Sequence, residues 1–286
     1  MMVKAFAKVN LSLGVLDKRP NGYHNIESIM QSVSLCDDIE IEKVNEGVAV
    51  TCSDGSIEGD DNLCHKAAEI FIKKAAEKGL ELGAKIHIVK NIPLAAGLGG
   101  GSADAAAVLK GLNSLSGEMF SHSELCDMAL SLGADVPFCI NGGTALAEGI
   151  GEELTDLMPL PECFIVIAKQ GVKSSTGDMY KKLDSIEKPK LPDTDCMIEN
   201  IKKGDLKAAL LGAYNSFEQT CDAADEVREA LEGMPFVYCG LSGAGPSVIS
   251  IFLEKALALN AQEKLKSMGY AAFLTTPIDK GNQIIE

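Results

Sequence analysis

The chain has 286 residues, 46% of them hydrophobic and 23% charged, and 26 Lys and Arg against 41 Asp and Glu give a formal net charge of −15. That composition is globular rather than disordered, and at about 150 residues per domain the length predicts two domains. The surplus of acid argues against a nucleic-acid or anionic-membrane partner, so a phosphate-bearing ligand would have to be held by local devices.

No apolar stretch is long enough to span a bilayer, and Lys8, Asn10 and Ser12 interrupt the apolar character a signal peptide would need. A soluble, cytoplasmic protein is expected, with no obligate protein partner evident. Nine cysteines (36, 52, 64, 126, 139, 163, 196, 221 and 239) include no C-x-x-C pair, and the four histidines (24, 65, 87 and 122) have no ligand spacing. The cysteines read as small buried hydrophobes in a reducing compartment, not as a disulfide or zinc framework.

In chain order, residues 3–16 read as a strand with Ala5, Ala7, Val9, Leu11, Leu13 and Val15 on one face and Phe6, Lys8, Asn10 and Ser12 on the other. A turn at Pro20-Asn21-Gly22 leads to Tyr23-His24, and strands follow near 27–35, 38–43 and 48–52. Asp60, Asp61 and Asn62 are N-cap candidates for a helix carrying Leu63, Ala67, Ile70, Phe71 and Ala75. A strand near 84–90 runs into a glycine-rich loop, after which Ser102 opens an alanine-rich helix. Ser121 and Glu124 form a capping box for the next helix, which Gly133 ends.

Met158-Pro159-Leu160-Pro161 reads as a hinge, giving an N-terminal domain over 1–158 and a C-terminal domain over 159–286. Beyond it come a strand at 163–168, helices near 173–183, 205–213 and 217–232, strands at 235–239 and 247–253, a helix at 254–268 and a strand at 270–275. The fold class is therefore α+β in two domains: an N-terminal α/β domain with a mixed sheet and a C-terminal ferredoxin-like sandwich.

The chemistry concentrates in Pro93-Leu94-Ala95-Ala96-Gly97-Leu98-Gly99-Gly100-Gly101-Ser102-Ala103-Asp104. Four glycines in five residues, directly before a helix, leave backbone N–H groups free to curl around an anion, and the helix N-terminus adds partial positive charge there. The run is neither a Walker A loop nor G-x-G-x-x-G. A plain strand-to-helix connector would not need so many glycines.

This run resembles the second motif of the GHMP kinase superfamily. Leu241-Ser242-Gly243-Ala244-Gly245-Pro246-Ser247 resembles its third motif and Ala5-Phe6-Ala7-Lys8-Val9-Asn10-Leu11 its first. Lys8-Val9-Asn10-Leu11, Lys18-Arg19-Pro20-Asn21-Gly22-Tyr23-His24, the triple glycine 99–101 and Gly133-Ala134-Asp135-Val136-Pro137-Phe138 are similar to the branch acting on a cytidine diphosphate-linked methylerythritol in non-mevalonate isoprenoid biosynthesis. The resemblance is collinear from about residue 4 to 253, with one departure: Ala103 stands where that branch often has a second serine.

The resemblance implies transfer of the γ-phosphoryl of ATP to the substrate's 2-hydroxyl, with Mg²⁺ as counter-ion. It implies Asp135 and Lys8 as the catalytic pair, and ATP binding by Lys90 and residues 93–103, with Asn62 and Leu63 near adenine. It gives Asn10 to the methylerythritol, and Tyr23, His24, Thr176 and Tyr180 to the cytidine end, with Tyr23 and Tyr180 as stacking rings. Ser102 is a candidate Mg²⁺ ligand or else an N-cap, Lys90 a nucleotide contact or else a surface charge, and Asp104 is expected to point away from the phosphates. Another small-molecule kinase of the superfamily, lacking Gly22-Tyr23-His24, is one alternative. A catalytically silent relative is another, and it would have replaced Lys8 or Asp135.

Overall fold

A computed structural model describes residues 1–55, 59, 61–171 and 175–285. Asp60 among the predicted caps, and 172–174 at the start of the predicted helix near 173, lie outside the described residues. The first sheet is mixed. Strands β1 (Met2–Lys18), β2 (His24–Val44), β3 (Val48–Cys52), β4 (Gly83–Val89), β5 (Thr144–Glu148) and β6 (Glu153–Asp156) join it, along with a short closing strand, β11 (Gln283–Ile284). The order is β11-β1-β2-β4-β3, with β5 pairing to β2 and β6 to β5, and only β3 and β4 run parallel.

Four helices back this sheet: α1 (Leu63–Glu77), α2 (Gly100–Leu115), α3 (His122–Leu132) and α4 (Asp135–Asn141). Asn62 caps α1, its Oδ1 accepting from the Cys64 N–H, and the Ser121–Glu124 capping box starts α3. Alanines 103 and 105–107 of α2 are fully buried, which lets the helix lie close over β1 and β2. At Gly111 a Cβ would come within 2.4 Å of Ile41 Cδ1.

The second sheet contains β7 (Phe164–Lys169), β8 (Tyr238–Leu241), β9 (Ser247–Phe252) and β10 (Ala271–Thr275) in the order β10-β7-β9-β8, all antiparallel. Helices α5 (Thr176–Asp184), α6 (Thr194–Lys202), α7 (Leu206–Leu211), α8 (Ala223–Ala230) and α9 (Lys255–Ser267) accompany it, with a 3₁₀ turn at Ser216–Gln219. This is the expected ferredoxin-like arrangement. One core cluster takes Ala7, Val9 and Leu11 of β1 together with Ile165, Ile167, Ile249 and Ile251 of the second sheet, so the two sheets share a core.

Several elements differ from their sequence expectations. The strands expected at 27–35 and 38–43 are one continuous strand, β2. Helices α4 and α6 and strands β5, β6 and β11 were not foreseen. The helix expected over 217–232 is a 3₁₀ turn followed by the shorter α8. The alternating apolar set of β1 does not share one face: Val3 and Ala5 join one core, Ala7, Val9 and Leu11 a second, and Leu13 and Val15 a third. The cause is the register against β2, which shifts between Phe6 and Lys8 and again between Asn10 and Ser12. Among the described residues no helix is long and apolar enough to cross a membrane. Burial pushes the Cys163 thiol up to about 12 and the Cys239 thiol up to about 11, leaving both unreactive.

A buried ion cluster ties β2, β4 and α2 together. Lys90 bonds both Asp37 and, at 2.8 Å, Asp104 Oδ2, while Asp37 Oδ1 accepts from the backbone N–H groups of Asn91 and Ile92. Asp37 is fully buried and Asp104 is 2% exposed. Lys90 is thus no surface charge. Burial pushes the Asp104 carboxyl up to about 8 against the pull of Lys90, so below that pH its bond from Lys90 goes to a neutral acid. An unfolded Asp104 would ionise near 3.8, so stability should fall as pH rises from there to about 8. Asp104→Asn, neutral and of equal size, should reduce the drop in melting temperature between about pH 6 and about pH 9. Identical pH dependence in the two proteins would show that Asp104 is ionised throughout.

Candidate active site

The loop between β4 and α2 is fixed from two sides. The Lys8 N–H donates to the Leu98 carbonyl at 2.9 Å, and Lys169 Nζ donates to the Leu94 carbonyl at 2.7 Å. At Gly97, φ is +76°, and a Cβ there would lie 2.6 Å from the Ser242 carbonyl oxygen, so this loop meets the 242–245 turn backbone to backbone. Gly99, at φ +67°, is the N-cap of α2 and supplies no capping side chain, and its missing Cβ would come within 2.9 Å of Lys8 Cγ. The first N–H groups of α2 therefore have no intrahelical partner and face a cavity of about 380 Å³.

That cavity is lined by Lys90 and by residues 93–102, and also by Lys8, Asp135, Thr176, Leu63 and the 243–244 turn. Of the residues assigned to ATP, Ala103 alone is absent from the lining; it is fully buried in the core. Ser102 does not begin the helix: α2 starts two residues earlier, so Ser102 sits in the first turn and is not an N-cap. Asn62 is spent capping α1, and Leu63 beside it reaches the cavity. Asp104 is held by Lys90 and does not line the cavity.

Lys8 and Asp135 meet at the mouth of this cavity. Lys8 is 5% exposed; its Nζ lies 3.3 Å from Asp135 Oδ2 and donates to Asn10 Oδ1 at 2.8 Å. Asn10 Nδ2 donates to Ser28 Oγ, whose hydroxyl donates to the Ser12 carbonyl. The Asn10 amide is thereby engaged at both ends and orients the ammonium. Asp135 is the first residue of α4, its side chain one-third exposed beside the loop. Ser242 Oγ accepts from the Asn10 N–H at 3.2 Å and so pins the third glycine-rich turn to β1.

A second cavity of about 430 Å³ is lined by Lys18, Tyr23, His24, Tyr180 and Asp184, among others. Thr176 borders the first cavity and Gly177 the second, so the two lie side by side at the start of α5. Tyr23 is 60% exposed. Tyr180 stacks on His24, centroids 4.6 Å apart and planes within 14°, and packs edge-on with Phe217. Burial raises the Tyr180 phenol above its ordinary pKa, and the charge of Asp135 adds to the rise.

His24 Nε2 lies 2.6 Å from Asp184 Oδ1, and Lys18 Nζ lies 2.6 Å from Asp184 Oδ2. The Lys18 hydrogen bond holds the Asp184 carboxyl below its ordinary value, with His24 contributing. A carboxylate oxygen only accepts, so Nε2 carries the proton of this contact, and in the neutral form of the ring Nδ1 is an acceptor. Asp184 escaped sequence reasoning, although it lies four residues beyond Tyr180 on α5, the spacing that puts two side chains on one helix face.

Comparison with known proteins shows the family. Residues 62–143 match the N-terminal domain of the GHMP kinases and residues 197–271 their C-terminal domain. A protein of Caldicellulosiruptor saccharolyticus named 4-diphosphocytidyl-2-C-methyl-D-erythritol kinase is 43% identical over 281 residues, covering 96% of each chain. One of the same name from Acetivibrio thermocellus is 40% identical, over 96% of this chain and 98% of its own. A crystal structure of 4-(cytidine 5'-diphospho)-2C-methyl-D-erythritol kinase superposes with a TM-score of 0.82 at 31% identity, covering 97% of this chain and 99% of the other. The homoserine kinase of Cytophaga hutchinsonii, 18% identical with a TM-score of 0.77 and coverage of 100% and 97%, shares the fold. With two domain matches in order and relatives at 40–43% identity along nearly its whole length, this chain belongs to the GHMP kinases, in the family of the 4-diphosphocytidyl-2-C-methyl-D-erythritol kinases.

Proposed function

We propose that the chain transfers the γ-phosphoryl group of ATP to the 2-hydroxyl of 4-diphosphocytidyl-2-C-methyl-D-erythritol. The observation that carries this reading is the Lys8–Asp135 pair in the lining of the glycine-loop cavity, with the aromatic cavity of Tyr23, His24 and Tyr180 adjoining that cavity at the start of α5. The triphosphate rests on the first N–H groups of α2, and the cytidine end lies by Tyr23 and His24. The hydroxyl to be phosphorylated then falls at Asp135.

Phosphoryl transfer needs in-line placement and stabilisation of negative charge more than covalent help from the protein. Asp135 orients the hydroxyl and receives its proton as the new oxygen–phosphorus bond forms and the bond to the β-phosphate oxygen breaks, releasing ADP. Lys8, 3.3 Å from that carboxylate, offsets the negative charge gathering at the transferred group. Asn10 acts by holding Lys8 in place.

Mg²⁺ would arrive bound to the triphosphate. Among the described residues no group of three or more His, Cys, Asp or Glu could cage an ion, which suits a metal carried by phosphate oxygens. The Ser102 hydroxyl and the Asp135 carboxylate, both in the cavity lining, could complete its shell, and the ion would neutralise phosphate charge.

The tautomer of His24 supplies base selectivity. Its Nδ1 acceptor matches the exocyclic amino donor of cytosine and opposes the carbonyl that uracil has there. Incubation with Mg-ATP should therefore yield ADP and a 2-phosphorylated product from the cytidine substrate. The uridine analogue should be poorer by about 5- to 150-fold in kcat/KM, the range for one buried polar mismatch. Equal turnover of both, or preference for homoserine or mevalonate, would overturn the assignment.

The glycine loop is tested by calorimetry. Gly97→Ala and Gly99→Ala force a side chain into left-handed backbone against the Ser242 carbonyl and Lys8, and each should weaken ATP binding on the order of tenfold. Gly117, at φ +75° with open space around it, is the control: Gly117→Ala costs stability and leaves ATP affinity unchanged. Unchanged affinity at Gly97 and Gly99 would remove the triphosphate from this loop.

A further inference from the structure

Beyond β10 the chain returns to the first sheet, and one residue on that path bonds β1, α2 and α4, the elements that carry Lys8, the end of the glycine loop and Asp135. Asn282 is 2% exposed. Its Oδ1 accepts from the Phe6 N–H at 3.0 Å, and its Nδ2 donates to the Ala103 carbonyl at 2.6 Å. Its main-chain N–H donates to the Cys139 carbonyl at 3.2 Å, and its main-chain carbonyl accepts from Lys110 Nζ at 2.6 Å. The amide orientation is fixed by its partners, since an N–H requires an acceptor and a carbonyl a donor.

These partners are placed tellingly. Phe6 is two residues before Lys8, where the β1–β2 register shifts. Ala103 lies in the first turn of α2, just past the triple glycine. Cys139 is about one helical turn beyond Asp135 on α4. The seating leaves no slack: Gly281 donates to the Asn141 carbonyl at 2.9 Å, and a Cβ on Gly281 would lie 2.3 Å from the Ile140 carbonyl oxygen.

We propose that Asn282 is a positioning residue for phosphoryl transfer, a strap that sets Lys8, the glycine loop and Asp135 at their working separations. This rests on the kinase reading above. Asn282 touches no substrate; it acts through β1, α2 and α4. In Asn282→Asp the shape is kept, but an acceptor replaces the donor facing the Ala103 carbonyl, so α2 is pushed away from β1.

The experiment compares full-length Asn282→Asp with the unaltered protein below both melting temperatures. The expected result is a fall in kcat of about 10- to 100-fold, the range for a misplacement near 1 Å, with KM and calorimetric ATP affinity changed by less than about threefold. In the substrate-free protein, the amide NMR signals of Lys8 and Val136 should also shift. Should Asn282→Asp fail to fold, Lys110→Met removes the bond to the Asn282 carbonyl together with the longer one, 3.5 Å, to the Ile140 carbonyl of α4, and should show the same kcat-selective loss to a smaller degree. A lower melting temperature with unchanged kcat, a change confined to KM, or unmoved amide signals would overturn the proposal. Inactivity of the unaltered protein would count against the kinase reading instead, because the amide shifts are read without substrate.

Discussion

Lys8 puts a full positive charge where only 5% of the residue meets solvent, and the surrounding architecture answers that cost. Taking an ammonium out of water is tolerable only when its protons are met by acceptors. Asn10 meets it at 2.8 Å and Asp135 at 3.3 Å, and Asn10 is itself held by Ser28. The Lys8 backbone N–H fixes the glycine loop at Leu98, and the absent Cβ of Gly99 leaves room for the lysine stem. Change the place of this one side chain and the loop, α4 and the turn at Ser242 must all adjust.

A chain of net charge −15 has to hold polyphosphate against its own field. The first N–H groups of α2 supply partial positive charge without adding a cation. The second lysine near the loop does not serve as a free cation, because Asp37 and Asp104 hold it. Under the proposed reading Lys8 is then the principal full positive charge at the reacting group, and its neighbour Asp135 remains partly open to a ligand. In the second cavity Lys18 and His24 likewise converge on one carboxylate, Asp184, so the cation there is also paired within the protein.

The motifs were legible because their chemistry is local: glycines 97–101, Lys8 and Asn10 two apart on one strand, and Ser121 with Glu124. What escaped depends on contacts distant in sequence. Helix α4 hides because Pro137, two residues after Asp135, looks like a breaker, yet proline is tolerated in a first turn. Strands β5 and β6 are short and flank Gly149 and Gly151, so their alternation is too brief to stand out. Lys90 could not be placed from its neighbours in sequence, since its partners are 53 and 14 residues away. Asn282 carries no local signal, being 276 residues from Phe6.

The central claim is that Lys8 and Asp135 work as one unit at the point of transfer. A double-mutant cycle on kcat with Lys8→Met, Asp135→Asn and the pair tests it most directly, with chemistry shown to be rate-limiting. Each single change should lower kcat by about 10²-fold or more, and the double should lose little beyond the worse single. Losses that multiply in the double variant, or near-normal turnover in either single one, would contradict it.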